Sequence, residues 1–520
     1  MTKTIYRLAV LALVITSGAL ALWGLDRALF WDDEAHIAIV ARNFLASGRL
    51  SAWDGRNLIG YRDGAFVDSD LCTRNPPLDA LVMAGSFRLF GPTTWAGRFP
   101  FVLVGLATLF LLSHVVEQQF RSRPVALYSL AVLGLGVVFL LNIRTGRYNA
   151  LALLLPLCAF AAYNRYLECR RPSWLGLSAL AGVALFYASY LLALAFGLAL
   201  AVLALVRHRH RFSRSDIWPL ALAAGLFLAA TLPYILVYRA WDYPRLARDP
   251  AIPHFFTLLW WYVQDLPRLA PGLWVVGAIA WLIRPERDER ALDWVVLCAA
   301  YLVALSGFSP QPVSITDTAD TRYALPIAPF LAGLTGWVLG GIHGRSPVLA
   351  GLLLVGLVCV DPRVPPQPLL PAYVQENLQP YPTGIEAVVE FLRPRVAFDE
   401  PVACTPAYMN VPLMFYLGDR VRICCQLTHE SPLPASLVSS LPAPLGRESC
   451  FPDRLVAFGW SPTSREVLSF YQRGGHRYQL EAVLPVYWRQ TQRPELVWHT
   501  FGPRRDFSTP ESVYVLRRVR

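Results

Sequence analysis

Residues 5–24, IYRLAVLALVITSGALALWG, form an apolar run, and residues 25–45, LDRALFWDDEAHIAIVARNFL, follow it directly. The first stretch is long enough to cross a bilayer as one helix, since a membrane span needs about 20 mostly apolar residues. Three consecutive acids, Asp32, Asp33 and Glu34, lie in the second stretch. Acids so close to a membrane span predict either the capped start of a helix or a site that uses carboxylates.

The composition of the whole chain is that of an integral membrane protein. Of its 520 residues, 55% are hydrophobic and 16% are charged, and the mean hydropathy is +0.40. Soluble domains carry about 25% charged residues. The net charge of +11 does not indicate nucleic-acid binding, because the arginines concentrate in short loops between apolar runs, as membrane topology requires.

The sequence predicts a polytopic α-helical membrane protein with about eleven spans, because about eleven apolar segments have the required length. The long apolar stretch at 174–206 is divided near Tyr190, since it is too long for one span. The predicted spans are 5–24, 97–116, 125–143, 148–166, 174–190, 191–206, 217–238, 268–284, 292–308, 323–341 and 345–361.

The position of arginine predicts the orientation of these spans. With the N-terminus inside, the inside loops are EQQFRSRP, LECRRPS, RHRHRFSRSD, RPERDER and HGRS, and every one carries arginine. The predicted domains are a transmembrane module at 1–361 with a first extracytoplasmic loop at 25–96, a proline-rich linker at 362–380, and an extracytoplasmic α/β domain at 381–520. In that last domain, two helix patterns alternate with strand patterns such as EPVACTP and SVYVLRR.

The residues after the acids predict an amphipathic helix that lies along the outer membrane surface, with Ile37, Val40, Ala41 and Phe44 on one face. One interpretation is that Asp32 or Asp33 only caps this helix. A cap needs one acid, however, and three are present here. The same loop also contains Asp54, Asp63, Asp68 and Asp70, which favours a site over a simple cap.

Arginines at the outer ends of later spans are the second group of candidates. Arg144 and Arg147 precede the fourth predicted span, and Arg322 precedes the tenth. The distribution of basic residues in membrane proteins disfavours this side, and ionisable groups at membrane depth are costly and often functional. Each arginine could instead extend to lipid headgroups. Together they predict a clamp for phosphate.

An ordered set of motifs resembles the GT-C glycosyltransferases, which include the protein O-mannosyltransferases and the bacterial aminoarabinose transferases. FWDDEAHIAIVARNFLASGRL is similar to their first-loop Asp-Glu motif, and RNPPLDALVMAGSFRLFG to the segment before their second span. RTGRYNALALLLPL and TRYALPIAPFLAGL resemble their arginine-bearing elements, and LSALAGVALFYASYLLALAFGLAL resembles their double span. The resemblance covers roughly residues 5 to 361.

The resemblance implies an inverting glycosyltransferase in a bacterial inner membrane that uses a polyprenyl-phosphate-linked hexose or pentose. By alignment with the family's Asp-Glu pair, Asp33 is the general base and Glu34 supports it. Phosphate-binding residues would be Arg322, Arg147 and Arg74. Further substrate contacts would come from Asp32, His36, Asn75, Tyr148, Asn149 and Tyr323. A divalent metal, Mg²⁺ or Mn²⁺, is left open, with Asp33 as its ligand.

The partners implied are the lipid-linked donor, a lipid, glycan or protein acceptor, and membrane lipids, with no nucleic acid. Asn75 stands where relatives often have His or Lys, and Asn149 where Asp is common. The lysine often found in the double span is absent, with Tyr187 or Tyr190 nearby.

Two alternative functions remain. The first is a transporter or flippase for lipid-linked sugars, although the internal repeat typical of transporters is not visible. The second is a catalytically degenerate scaffold subunit.

Overall fold

The structure, a computed structural model, describes residues 2–52, 54, 56–57, 76–237, 255–270, 288–308, 321–361, 367–378, 383–405, 409–423, 451–459, 462–473, 475–486 and 511–519. The described residues form two compact units. The first contains those of Met1–Trp23 and Phe101–Gln375. The second contains those of Gly24–Pro100, Glu376–Arg493 and Arg504–Arg520. The contacts therefore group the first loop with the C-terminal domain.

Helices dominate the described chain. In order they are α1 Lys3–Leu22, α2 Asp32–Ser47, α3 Leu78–Phe90, α4 Thr94–Phe120, α5 Arg123–Gly134, α6 Val137–Ile143, α7 Asn149–Cys169, α8 Pro172–Ala188, α9 Tyr190–Arg207, α10 Ile217–Val237, α11 Phe255–Leu269, α12 Glu289–Phe308, α13 Ala328–His343, α14 Pro347–Cys359, α15 Leu370–Leu378, α16 Gly384–Leu392, α17 Asn410–Leu417 and α18 Pro462–Arg473. Short 3-10 helices lie at Arg209–Arg211, Arg214–Asp216 and Thr321–Ile327.

The prediction of a polytopic helical membrane protein is confirmed. Among the described residues, seven helices are long and apolar enough to cross a membrane, or eight if α5 and α6 count as one bent span. Two shorter apolar helices, α8 and α14, coincide with further predicted spans. The predicted span at 268–284 lies almost entirely outside the described residues, and α11 was not predicted.

Two breaks in the spans have local causes. The predicted division near Tyr190 is confirmed, because Ser189 has an extended backbone between α8 and α9. The predicted span at 125–143 is bent by 63° between α5 and α6. Gly136 lies at that bend, and a Cβ on it would be 2.8 Å from the carbonyl oxygen of Val132. A larger residue could not adopt this bend without a clash.

A polar cluster joins one end of three helices in the first unit. The Tyr163 hydroxyl of α7 lies 3.0 Å from Nδ1 of His208, which directly follows α9. The His208 Nε2 lies 3.1 Å from Asp293 of α12, and Arg207 donates from Nε to the same carboxylate at 2.8 Å. Because buried polar groups are stable only when they are hydrogen-bonded, this cluster fixes the relative positions of these helix ends.

The predicted amphipathic surface helix is wrong in one respect. The chain after the acids is helical, as expected, but α2 is buried around its circumference from Glu34 to Ala41. Its polar residues His36 and Asn43 are only 4% and 6% exposed. The helix packs against α3 and α17 within the second unit, so polar as well as apolar positions are covered.

The C-terminal α/β domain is confirmed by a five-stranded sheet with the order β4-β3-β5-β7-β6. Its strands are β3 Glu400–Thr405, β4 Val421–Ile423, β5 Arg454–Phe458, β6 Arg477–Val486 and β7 Glu511–Val519, and a separate small pair is β1 Val360–Asp361 with β2 Gln367–Pro368. Strand β3 is parallel to β4 and β5, whereas β7 is antiparallel to β5 and β6. Strand β6 and helix α17 were not predicted.

Candidate active site

The three predicted acids occupy the first turn of α2. The helix begins at Asp32, and the capping position before it is Trp31, which makes no side-chain capping bond. The interpretation that an aspartate caps the helix is therefore wrong, because both aspartates lie inside the first turn. The positive end of the helix dipole stabilises carboxylates there, so Asp33 is favoured as an anion.

Burial separates the three acids from one another. Glu34 is 1% exposed, whereas Asp32 and Asp33 are partly exposed. Consecutive residues on a helix point about 100° apart, so one of three neighbours can turn inwards while the others remain near the surface. The two aspartates are therefore the accessible carboxylates of this turn.

Glu34 is held by a buried arginine from α4. Arg98 donates from Nε to Glu34 Oε1 at 2.9 Å and from Nη2 to Oε2 at 2.6 Å, which is a two-point pair. Both side chains are almost fully buried. A buried carboxylate in such a pair has its charge compensated, so Glu34 is suited to fixing the turn and not to exchanging protons with a substrate.

Arg98 also fixes the chain that leads to the acids. Its Nη1 donates to the carbonyl oxygens of Leu25 and Ala28 at 2.9 and 2.6 Å, and its Nη2 donates to that of Leu29 at 3.2 Å. Sequence reasoning missed this residue as part of the site. The available signal was an ionisable side chain in the apolar segment WAGRFPFVLVG.

The first predicted arginine element lies between α6 and α7. Arg144 donates from Nη1 to the carbonyl oxygens of Leu20, Ala21 and Trp23 at 3.2, 3.0 and 2.7 Å. Leu20 and Ala21 lie in the last turn of α1 and Trp23 directly follows it, and the carbonyl groups at such a helix end have no partner within the helix. Arg144 therefore serves to end α1, and its Nη1 also donates to the Tyr373 hydroxyl at 3.2 Å.

Arg147 and Asn149 stand at the start of α7. Arg147 is 7% exposed, and its guanidinium carbon lies 5.2 Å from the centre of the adjacent Tyr148 ring. Asn149 donates from Nδ2 to Asn142 Oδ1 at 2.8 Å. An Asp at position 149 would lack this donor. Asn149 is thus matched by an amide partner at Asn142.

Arg322 lies in the 3-10 helix Thr321–Ile327, which packs against α7 within the first unit. Its guanidinium carbon is 5.2 Å from the centre of the Tyr323 ring. The backbone at Tyr323 is fixed because Tyr301 donates to its carbonyl oxygen at 2.5 Å. The structure thus brings the two predicted arginine elements onto adjacent parts of one helical unit.

The predicted site residues are distributed between both units. Asp32, Asp33, Glu34 and His36 belong to the second, and Arg147, Tyr148, Asn149, Arg322 and Tyr323 belong to the first. Arg74 and Asn75 lie outside the described residues. No three His, Cys, Asp or Glu side chains among the described residues form a cluster that could hold a metal ion.

Comparison with known proteins returns one family by sequence. The family model described as dolichyl-phosphate-mannose-protein mannosyltransferase matches residues 74–236. This range includes the arginine element at 144–149 and ends within α10. A comparison with curated protein sequences finds no match.

Solved structures are similar over nearly the whole chain. ArnT from Cupriavidus metallidurans, in a crystal structure with bound undecaprenyl phosphate, has a TM-score of 0.54 and 16% identity, over 99% of this chain and 98% of that one. The apo oligosaccharyltransferase of Archaeoglobus fulgidus has a TM-score of 0.52 and 10% identity, over 88% of this chain and 70% of that one. The predicted resemblance to the GT-C glycosyltransferases is therefore confirmed at the level of the fold.

Proposed function

We propose that this chain, which has the fold of the GT-C glycosyltransferases, is an inverting transferase that moves a hexose or pentose from a polyprenyl-phosphate donor to an acceptor hydroxyl or phosphate. The acceptor belongs to a lipid, a glycan or a protein. The observation that carries the proposal is the first turn of α2, in which Glu34 is fixed by Arg98 while Asp33 is partly exposed. The family match over residues 74–236 supports it.

Asp33 is proposed as the general base. With a hydroxyl acceptor, the Asp33 carboxylate accepts the hydroxyl proton as the acceptor oxygen bonds to the anomeric carbon. The bond from that carbon to the phosphate oxygen breaks, and polyprenyl phosphate leaves with the electron pair. Attack opposite the leaving group inverts the configuration. The dipole of α2 keeps Asp33 ionised, as a base requires.

Arginines are proposed to bind the donor phosphate, because negative charge develops on it as the bond breaks. Arg147 and Arg322 are the described candidates, and Arg74 is the third. Arg147 is 7% exposed, and a guanidinium in such a poorly hydrated position interacts more strongly with phosphate than one in water.

The reaction is proposed to occur at the outer face of a bacterial inner membrane, with the N-terminus in the cytoplasm and the C-terminal domain outside. Arginine-rich loops such as RHRHRFSRSD on the opposite side support this orientation. The apolar helices α1, α4 and α7 make the chain a multi-pass membrane protein. A lipid-linked donor can reach such a protein from within the bilayer.

The proposal is tested with the full chain in proteoliposomes that contain polyprenyl-phosphate mannose or polyprenyl-phosphate aminoarabinose, as one hexose and one pentose donor. Bacterial membrane lipid extract is added as the acceptor pool. We expect acceptor-dependent release of polyprenyl phosphate and a product with the opposite anomeric configuration. Movement of the donor between leaflets without release would favour the transporter alternative, and donor binding without either event would favour the scaffold alternative.

A further inference from the structure

The chain segment between α1 and the acids is held by side chains from the C-terminal domain. The backbone N–H of Leu29 donates to Glu386 Oε1 at 3.1 Å, and that of Phe30 donates to the Tyr416 hydroxyl oxygen at 2.8 Å. The segment ends at Trp31, immediately before the first turn of α2. All of these residues belong to the second unit, so the C-terminal domain fixes two consecutive amides just ahead of the acids.

Tyr416 links this segment to the start of α4. Its hydroxyl oxygen lies 2.7 Å from Thr94 Oγ1 as well as accepting from Phe30. Thr94 stands one helical turn before Arg98 on α4, and Arg98 pairs with Glu34. Burial raises the pKa of Tyr416 well above its usual range, so the hydroxyl keeps its proton and can serve as donor and acceptor at once.

Glu386 is itself fixed within the C-terminal domain. It closes a capping box at the start of α16, where its Oε2 accepts from the Thr383 backbone N–H at 2.8 Å and from the Thr383 hydroxyl. Its other oxygen is the one that accepts from Leu29. A carboxylate bonded at both oxygens has little freedom to move, so Leu29 is attached to a rigid point.

We infer that Tyr416 and Glu386 are positioning residues for Asp33, so that the C-terminal domain takes part in setting the geometry of the reaction. They hold the backbone at Leu29 and Phe30, and Arg98 holds the carbonyls of the same segment and Glu34. The first turn of α2 is thereby fixed at two points, namely the segment that precedes it and the Glu34 side chain. This inference rests on the proposed function, since it assigns the turn its catalytic task.

The main test is Tyr416→Phe, which keeps the ring contacts with Phe30 and Phe415 and removes only the hydroxyl. Tyr478→Phe is the matched control, because its hydroxyl donates to the Pro452 carbonyl at 2.8 Å inside the C-terminal domain. We expect Tyr416→Phe to lower kcat by about 10- to 100-fold, as displacement of a reacting group does. The donor KM and the thermal midpoint should match those of the control.

Glu386→Gln tests the second contact, with Glu390→Gln as its control on an exposed position of the same helix. The amide has one oxygen in place of two, so it cannot serve both Thr383 and Leu29. We expect a fall in kcat for Glu386→Gln and none for Glu390→Gln. If Tyr416→Phe and Tyr478→Phe lower kcat in equal measure, together with their thermal midpoints, the inference is overturned.

Hydrogen exchange of the peptide that covers residues 28–36 gives a readout that needs no turnover. We expect faster exchange of its amides in Tyr416→Phe than in Tyr478→Phe, because Phe30 loses its acceptor and the turn loosens. Unchanged exchange in this peptide would overturn the inference whatever the activity. Absence of transfer by the wild-type chain with both donors would instead count against the proposed function, and the exchange result would still decide whether Tyr416 holds the turn.

Discussion

The acidic turn of α2 and the arginine element between α6 and α7 each contain like-charged residues close together in sequence. In each region one of these residues makes contacts that fix the position of a neighbouring segment. Glu34 is paired with Arg98, and Arg144 donates to three carbonyl oxygens at the end of α1. The neighbours Asp33 and Arg147 are then the better candidates for chemistry in their respective regions.

The two regions differ in what holds the committed residue. Glu34 and Arg98 are opposite full charges in a buried pair, and removal of one partner leaves an uncompensated charge. Arg144 donates to neutral carbonyls and the Tyr373 hydroxyl, and its removal leaves polar groups without a donor, which costs less than a bare charge. We therefore expect the stability of the acidic region to depend more on the Glu34–Arg98 pair than the stability of the arginine region depends on Arg144.

The largest expected effect is that of Arg98→Met. We expect the free energy of unfolding to fall by about 3–5 kcal/mol, because Glu34 stays buried without its partner. Arg165→Met is the control, because Arg165 pairs with Glu168 at the surface, where the two side chains are 51% and 55% exposed. That variant should lose less than about 1 kcal/mol. Chemical denaturation in detergent measures both.

A double variant, Glu34→Leu with Arg98→Met, sharpens this result. It leaves neither charge in the interior, so we expect it to be more stable than Arg98→Met alone. Equal losses for Arg98→Met and Arg165→Met would contradict the buried pair, and with it the assignment of Glu34 to a structural task.

A smaller effect on stability is expected for Arg144→Met. The lost bonds to the end of α1 should lower the free energy of unfolding by about 1–3 kcal/mol, while the donor KM stays close to that of the wild type. Arg147→Met is expected to do the reverse, with a rise in the donor KM of roughly tenfold or more, as loss of a charge-assisted bond implies. Denaturation and kinetic measurements on both variants distinguish the two effects. A higher donor KM in Arg144→Met together with a loss of stability in Arg147→Met would reverse the roles assigned to the two arginines.

The helical unit was largely predictable because hydropathy has a direct physical link to membrane spans. Even the division near Tyr190 followed from length alone. The bend at Gly136 was not predicted, since the apolar pattern continues through it without a change in hydropathy. The packing of Gly336 on Ser129, where a Cβ would lie 2.1 Å from the serine oxygen, likewise leaves no periodic signal in the sequence.

The organisation of the second unit was harder to predict because its contacts join distant parts of the chain. Asn57 donates to the Val421 carbonyl at 3.1 Å and accepts from the Ile423 amide at 2.8 Å, across more than 360 residues. The bonds of Tyr416 and Glu386 to residues 29 and 30 are of the same kind. No local sequence pattern marks such pairs. The sequence therefore indicated the acids of α2 but did not predict that the helix is buried.

Asp33 is proposed as the base, and its neighbour Asp32 is not. Both are partly exposed in the same turn, so Asp33→Asn and Asp32→Asn form a matched pair. The direct measurement is the single-turnover rate of sugar transfer in proteoliposomes for both variants and the wild type. We expect Asp33→Asn to lose about 10²- to 10⁴-fold, as removal of a general base does, and Asp32→Asn to lose less than about tenfold. A wild-type rate in Asp33→Asn, or the larger loss in Asp32→Asn, would contradict the assignment.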